Sequence, residues 1–179
     1  MRLFHFSDNP AIAHFVPRPV LTPSERAPGW AWLNGPLVWA ISEERQGMYL
    51  FPRDCPRILL WPTETTTVED RARFWDDADW LMIAYVEEGW LDAIASASLH
   101  RYDMPPETFE SLDDAGMWVS HAPVAAHAMQ TIVDLPKALA EQGVALRAMP
   151  TLAPLADVWG TTLHASGIRL RNAQGWPQT

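Results

Sequence analysis

The chain has 179 residues, 48% of them hydrophobic, and a formal net charge of −9. That content supports a packed core rather than a disordered chain, and the length sets one domain as the expectation. The acidity argues against general nucleic-acid affinity, because phosphates want a basic stripe.

Arg2 to Ser7 alternates apolar and polar side chains and reads as a first strand. Asp8-Asn9-Pro10 is a turn, and Ala11 to Phe15 suits one helical turn. Residues 16–36 are rich in proline and glycine and read as a long loop. Leu37 to Ile41 is a continuous apolar run, hence a buried strand. Ser42 follows as an N-cap, with Glu43 and Glu44 favourable in the first turn of a short helix that carries Met48 and Tyr49. Arg57 to Trp61 is a strand, Thr67 to Asp77 an acidic amphipathic helix, and Leu81 to Val86 another strand. Trp90 to Ala97 reads as a helix of small residues, and Ser98 to Met104 and Met117 to Ser120 as strands. Leu135 to Gln142 is a helix that Gly143 stops, and Val144 to Met149 a strand. Leu152 to Ala165 has apolar residues at helical spacing, and Ile168 to Leu170 reads as a last short strand. Residues 1–172 are therefore expected to form a single α+β domain, with 173–179 a loose tail.

The charge is unevenly spread. Residues 64–114 hold three basic and fourteen acidic residues, while both ends are near neutral. This leaves room for a small anionic ligand held by a few arginines. The single cysteine, Cys55, permits no internal disulfide, which fits a reducing, cytoplasmic compartment. Leu81 to Val86 is far too short to span a bilayer, and the N-terminus does not read as a signal peptide. Ten tryptophans and sixteen prolines imply short elements and aromatic lining of a core or cleft.

No phosphate-binding glycine loop, G-x-S-x-G elbow or H-E-x-x-H pair is present. His121 and His127 stand six apart around Pro123, which is not a helical metal pair, so no metal is expected. Cys55 lies between Arg53 and Arg57, where cations would favour a thiolate, but a buried cysteine is the commoner outcome. Arg53, Asp54 and Arg57 suit an ion-paired turn, or else a fork that grips a phosphate or carboxylate. His5 shares a strand face with Leu3 and Ser7, where it either hydrogen-bonds a ligand hydroxyl or is a satisfied core histidine.

The stretches LFHFS, FVPRP, VWAI, YLFPRDCPRILLW, WVSHAPV and SGIRLRN, in this order, resemble an uncharacterised bacterial family that carries a domain-of-unknown-function label. A first strand with a histidine, then F-x-P-R, a strand VWAI followed by a helix, and a late strand with VS-x-x-PV also resemble the ADP-ribosyltransferase-like superfamily. That resemblance implies two small, mostly antiparallel sheets with short helices around a cleft that binds NAD. It implies that His5 contacts the nicotinamide ribose, with Ser7 beside it. It further implies that Tyr49 or Trp39 stacks on the nicotinamide and that Arg18 or Arg53 meets the pyrophosphate. His5 and Tyr49 would be the catalytic pair. The third motif of that superfamily is usually a glutamate at the start of the late strand, and Ala115-Gly116-Met117-Trp118 stands there instead. The alternative to an NAD-dependent transferase is therefore a non-catalytic small-ligand-binding or interaction protein of the same fold. An enzyme of unrelated chemistry built around Arg53, Asp54 and Cys55 is a third possibility.

Overall fold

The computed structural model describes residues 1–75 and 79–177. Its strands are β1 (Leu3–Ser7), β2 (Val38–Ser42), β3 (Arg57–Trp61), β4 (Met82–Glu87), β5 (Leu99–Met104), β6 (Glu110–Ser111), β7 (Met117–Ser120), β8 (Ala128–Ile132), β9 (Val144–Met149) and β10 (His164–Ile168). Its α-helices are α1 (Val68–Phe74), α2 (Leu91–Ser96) and α3 (Leu135–Glu141), joined by several 3₁₀ turns. The chain divides into two compact units, each built from two separate stretches: Met1–Gln46 with His100–Thr131, and Gly47–Leu99 with Ile132–Thr179.

The first unit carries a six-stranded sheet in the order β6-β7-β2-β1-β5-β8. β1 runs antiparallel to both β2 and β5, and β7 runs antiparallel to β2 and β6. The pleat sends Leu3, His5 and Ser7 to one face, opposite Met104, Tyr102 and His100 of β5. Val38 and Ala40 join that face, and Phe15, Phe109 and Val124 close a core over it. The second unit carries a four-stranded sheet, β10-β3-β4-β9, in which only the β4–β9 pair is parallel. Every residue of β3 is buried, the apolar run Ile58 to Trp61 and, with its own hydrogen bonds, Arg57. Ile58 and Leu60 pack with Leu152, Leu155 and Val158 on one face, and burying a side chain of this size stabilises by about 1.5–3 kcal/mol. Two mostly antiparallel sheets with a few short helices make this an α+β chain. Among the described residues no helix is long and apolar enough to cross a membrane.

Several local expectations are corrected. Ala11 to Phe15 is not a helical turn: Phe15 instead forms a bridge with Val124, with N–H···O distances of 2.8 Å both ways. The stretch after Leu152 is a 3₁₀ helix, Ala153–Gly160, and the expected helix end belongs to β10, which pairs along the whole of β3. Helix α1 starts where its cap demands, with the Thr67 side chain accepting the Asp70 N–H. The helix ends at Phe74, and the expected continuation over Asp76 and Asp77 lies outside the described residues. The stretch from residue 173 is not loose as far as Trp176. Ala173 is buried, Gln174 N–H donates to the Glu87 carboxylate at 2.8 Å, and the Trp176 ring meets Trp159 edge-on.

Candidate functional site

His5 sits on β1, in the middle of the first unit's sheet. The register between β1 and β2 covers Leu3 with Ser42 and Phe4 with Ile41. Beyond those pairs the imidazole takes over, with Nδ1 lying 2.8 Å from the Trp39 carbonyl oxygen. A carbonyl can only accept, so Nδ1 carries a proton in this bond. The ring lies 4.6 Å from Phe15, tilted by 54°, and Phe15 meets Tyr102 edge-on at 5.1 Å. The Tyr102 hydroxyl donates to the Asn9 carbonyl at 2.7 Å and accepts the Ile12 N–H at 3.2 Å. Tyr102, the cross-strand partner of His5, is one wall of an open groove of about 380 Å³ formed with Pro10, Ile12, Ala126 and Met129. The site is thus a half-buried histidine held through Nδ1, whose cross-strand partner Tyr102 is the one aromatic residue of the neighbouring groove.

The expected ligand set is only partly brought together. Ser7 shares the His5 face but is 4% exposed, and its hydroxyl accepts the Asn9 N–H, so it fixes the turn after β1. Trp39 is a correction. Phe4 pairs with Ile41, and two residues along the same strand Trp39 points to the same side as Ile41. Its indole therefore lies on the sheet face opposite His5 and packs with Leu33, Leu37 and Val119. What Trp39 contributes to His5 is its carbonyl. Arg18 is exposed, and its main chain bridges Leu37. Tyr49 and Arg53 stand in the second unit. Tyr49 ends a 3₁₀ helix, with the Arg57 guanidinium 5.9 Å from its ring. Arg53 is exposed, and its carbonyl accepts from Arg169 Nε at 3.2 Å. No carboxylate opens β7. Asp113 lies in the preceding turn at φ +52°, with its Oδ1 accepting the Ser111 hydroxyl.

The motif around Cys55 is structural. Arg57 is buried, donating from Nε to the Met48 carbonyl at 2.9 Å and from Nη1 to the Cys55 carbonyl at 3.0 Å. Its guanidinium lies 4.9 Å from the Phe51 ring centroid. Arg57 therefore staples the turn that precedes β3. Burial pushes the Cys55 thiol up to about 12 against the opposing pull of Arg57, with the Glu87 carboxylate adding to the rise. A thiol held neutral in this way is not a nucleophile at ordinary pH, which removes the chemistry proposed for Arg53, Asp54 and Cys55. Among the described residues no three histidine, cysteine or carboxylate side chains gather as a metal site. Tyr102 and Phe15 escaped sequence reasoning, because the strand partners that carry them to His5 lie far along the chain.

Comparison with curated proteins and with solved structures gives no match. A family described as "Family of unknown function (DUF6886)" matches residues 4–173, a span that includes His5, the FPRDCPR turn and β10. The chain belongs to that family.

Proposed function

We propose that this chain binds a nucleotide of the NAD class in its first unit, in an ADP-ribosyltransferase-like arrangement, and holds it without transferring ADP-ribose. The observation that carries this reading is the His5 imidazole, oriented by the Trp39 carbonyl at 2.8 Å, next to a groove walled by Tyr102. An imidazole oriented through Nδ1 suits contact with a ribose hydroxyl. The aromatic wall suits a ring, and small-ligand sites combine such walls with a few oriented polar groups. Of the residues first assigned to the ligand, His5 fits. The Ser7 oxygen already serves the Asn9 N–H, and the Trp39 indole faces away. The absence of a carboxylate at the head of β7 favours binding over turnover, since stabilising an oxocarbenium-like ribose calls for fixed negative charge.

Thermal shift of the full chain against NAD, ADP-ribose and nicotinamide tests the reading. A ligand at 100 times its dissociation constant stabilises by about 2.7 kcal/mol. His5→Ala should abolish the shift, with the lost bond to the Trp39 carbonyl costing the apo chain about 1–3 kcal/mol. No shift with any of the three at saturating concentration would sink the proposal, and release of free nicotinamide over time would overturn its non-catalytic part.

A further inference from the structure

The loop between Val16 and Pro36 carries two tryptophans that the core does not absorb. Trp30 and Trp32 are each 42% exposed. The turn that bears them is nonetheless well tied. The Asn34 side chain accepts the Ser24 N–H at 3.2 Å and donates to the Ser24 carbonyl at 2.9 Å. Leu33 N–H reaches the Trp30 carbonyl, Gly35 N–H the Trp32 carbonyl, and the Leu33 side chain is buried beneath them. Gly35 leaves room for this turn, since a Cβ there would sit 3.0 Å from the Trp32 carbonyl oxygen. The two indoles lie with centroids 6.4 Å apart and planes 23° apart. His121, exposed at the end of β7, continues the series at 5.8 Å and 24° from Trp32. These separations fall in the range of offset stacking.

We propose that Trp30, Trp32 and His121 form a stacking site for a planar, cationic heteroaromatic ring. Scattered exposed apolar residues need no explanation, but three exposed rings in near-parallel order on a pinned turn do. The shape of the ligand follows from the angles. Near-parallel planes extend a stack with another flat ring, whereas a tetrahedral ammonium is best enclosed by walls set steeply to one another. The charge of the ligand follows from the indole faces, which are negative and make tryptophan the best aromatic partner for a cation. It also follows from the unit that bears the site, whose two stretches hold five arginines and nine carboxylates. Single-stranded nucleic acid also stacks on such rings, but it needs a basic groove along its phosphates, and this loop offers only Arg18 and Arg26 against Glu25. The site is carried by an observation separate from the His5 groove and stands or falls without it.

The test is a titration of the full chain, with ¹⁵N-labelled indoles, by N-methylquinolinium. The Trp30 and Trp32 N–H resonances, assigned through Trp30→Phe and Trp32→Phe, should shift and saturate while the other indoles stay in place. Quinoline-2-carboxylate, flat but anionic, should bind several-fold more weakly, the size of a cation–π contribution at an exposed site, and tetramethylammonium, cationic but not flat, should bind several-fold more weakly because it loses the ring stacking. His121→Ala should weaken binding several-fold. Shifts spread over all indoles, or linear in concentration, overturn the site on the wild-type chain alone, whatever the variants do. Equal binding of the carboxylate overturns the charge assignment, and equal binding of tetramethylammonium overturns the planar one. Saturable shifts of the same two resonances by oligo-deoxythymidine at physiological salt would make this a nucleic-acid surface instead.

Discussion

Cys55 offers the sharpest quantitative test of the structure. It is 0% exposed, and its Sγ–H points to the Pro56 carbonyl at 3.6 Å. Burial raises its thiol from 9.0 to about 12, and the adjacent Arg57 guanidinium does not offset that. At pH 8 an ordinary thiol is roughly one-tenth thiolate, whereas one at about 12 is roughly one ten-thousandth ionised. Because the thiolate is the nucleophile, an aromatic disulfide reagent should label the native chain about 10³-fold more slowly than the unfolded chain. Loss of access slows the reaction further. The assay is the pseudo-first-order labelling rate at pH 8, with and without denaturant. A native rate within ten-fold of the unfolded one would refute the burial and restore the thiolate. The same shift has a consequence for stability. An acid whose folded pKa is raised leaves stability untouched below its unfolded value. It then lowers stability as the unfolded chain alone loses the proton, here from pH 9 towards about 12. Arg57, brought down to about 10 by burial, acts in the opposite direction above that pH. The net loss between pH 8 and pH 10 is about 1 kcal/mol. Cys55→Ala should remove the cysteine part of that slope in denaturant titrations.

Gly143 adopts φ +69°, and a Cβ there would meet Leu81 Cγ at 2.9 Å. Gly143→Ala should therefore cost more than about 1 kcal/mol by denaturant midpoint, and a neutral outcome would contradict the turn. Leu59, wholly buried in β3, should lose about 2–5 kcal/mol on Leu59→Ala, read as a lowered melting temperature. Thr67→Ala removes the cap that accepts the Asp70 N–H and should cost about 1 kcal/mol, with Thr67→Ser restoring most of it. Asn34→Ala deletes both contacts to Ser24 and should broaden the Trp30 and Trp32 indole resonances, with about 1 kcal/mol lost per hydrogen bond at most. Sharp, unmoved resonances would show that the turn is held some other way.

Continuous apolar runs were legible to within a residue, β2 and β4 each lying one position further along than expected. β3 spans Arg57 to Trp61, as expected, with its apolar run buried on both sides and Arg57 held at its start by hydrogen bonds to two carbonyls. β8 was invisible for the opposite reason: Ala128 to Thr131 are exposed, so alternation has nothing to report. Leu163 follows Trp159 at helical spacing, but the expected helix gives way at His164, where pairing with β3 outweighs local preference. The site was half legible. Alternation within β1 put His5 and Ser7 on one face, as found. It could not say which face of β2 meets them, because each strand's pattern defines two faces without matching them to a neighbour's. One residue of register decides whether the Trp39 indole or its neighbours' side chains stand beside His5. The same limit hid Tyr102, which reaches His5 across 97 positions of chain through the β1–β5 register.

The two units are interleaved along the chain, each interrupted by a stretch of the other. During synthesis β1 and β2 emerge early, yet β1 must wait for β5 and β2 for β7 before either is flanked on both sides. β3 likewise gains its outer partner β10 only when residues 164–168 have been made. The nascent chain therefore carries apolar strands with open edges through most of translation, the state in which chaperone binding is most useful. For the same reason neither unit can be obtained as one uninterrupted fragment. Cutting at residue 99 leaves both halves short of strands they need, whereas cutting at residue 46 strips the first unit of β1 and β2 and keeps every strand of the second.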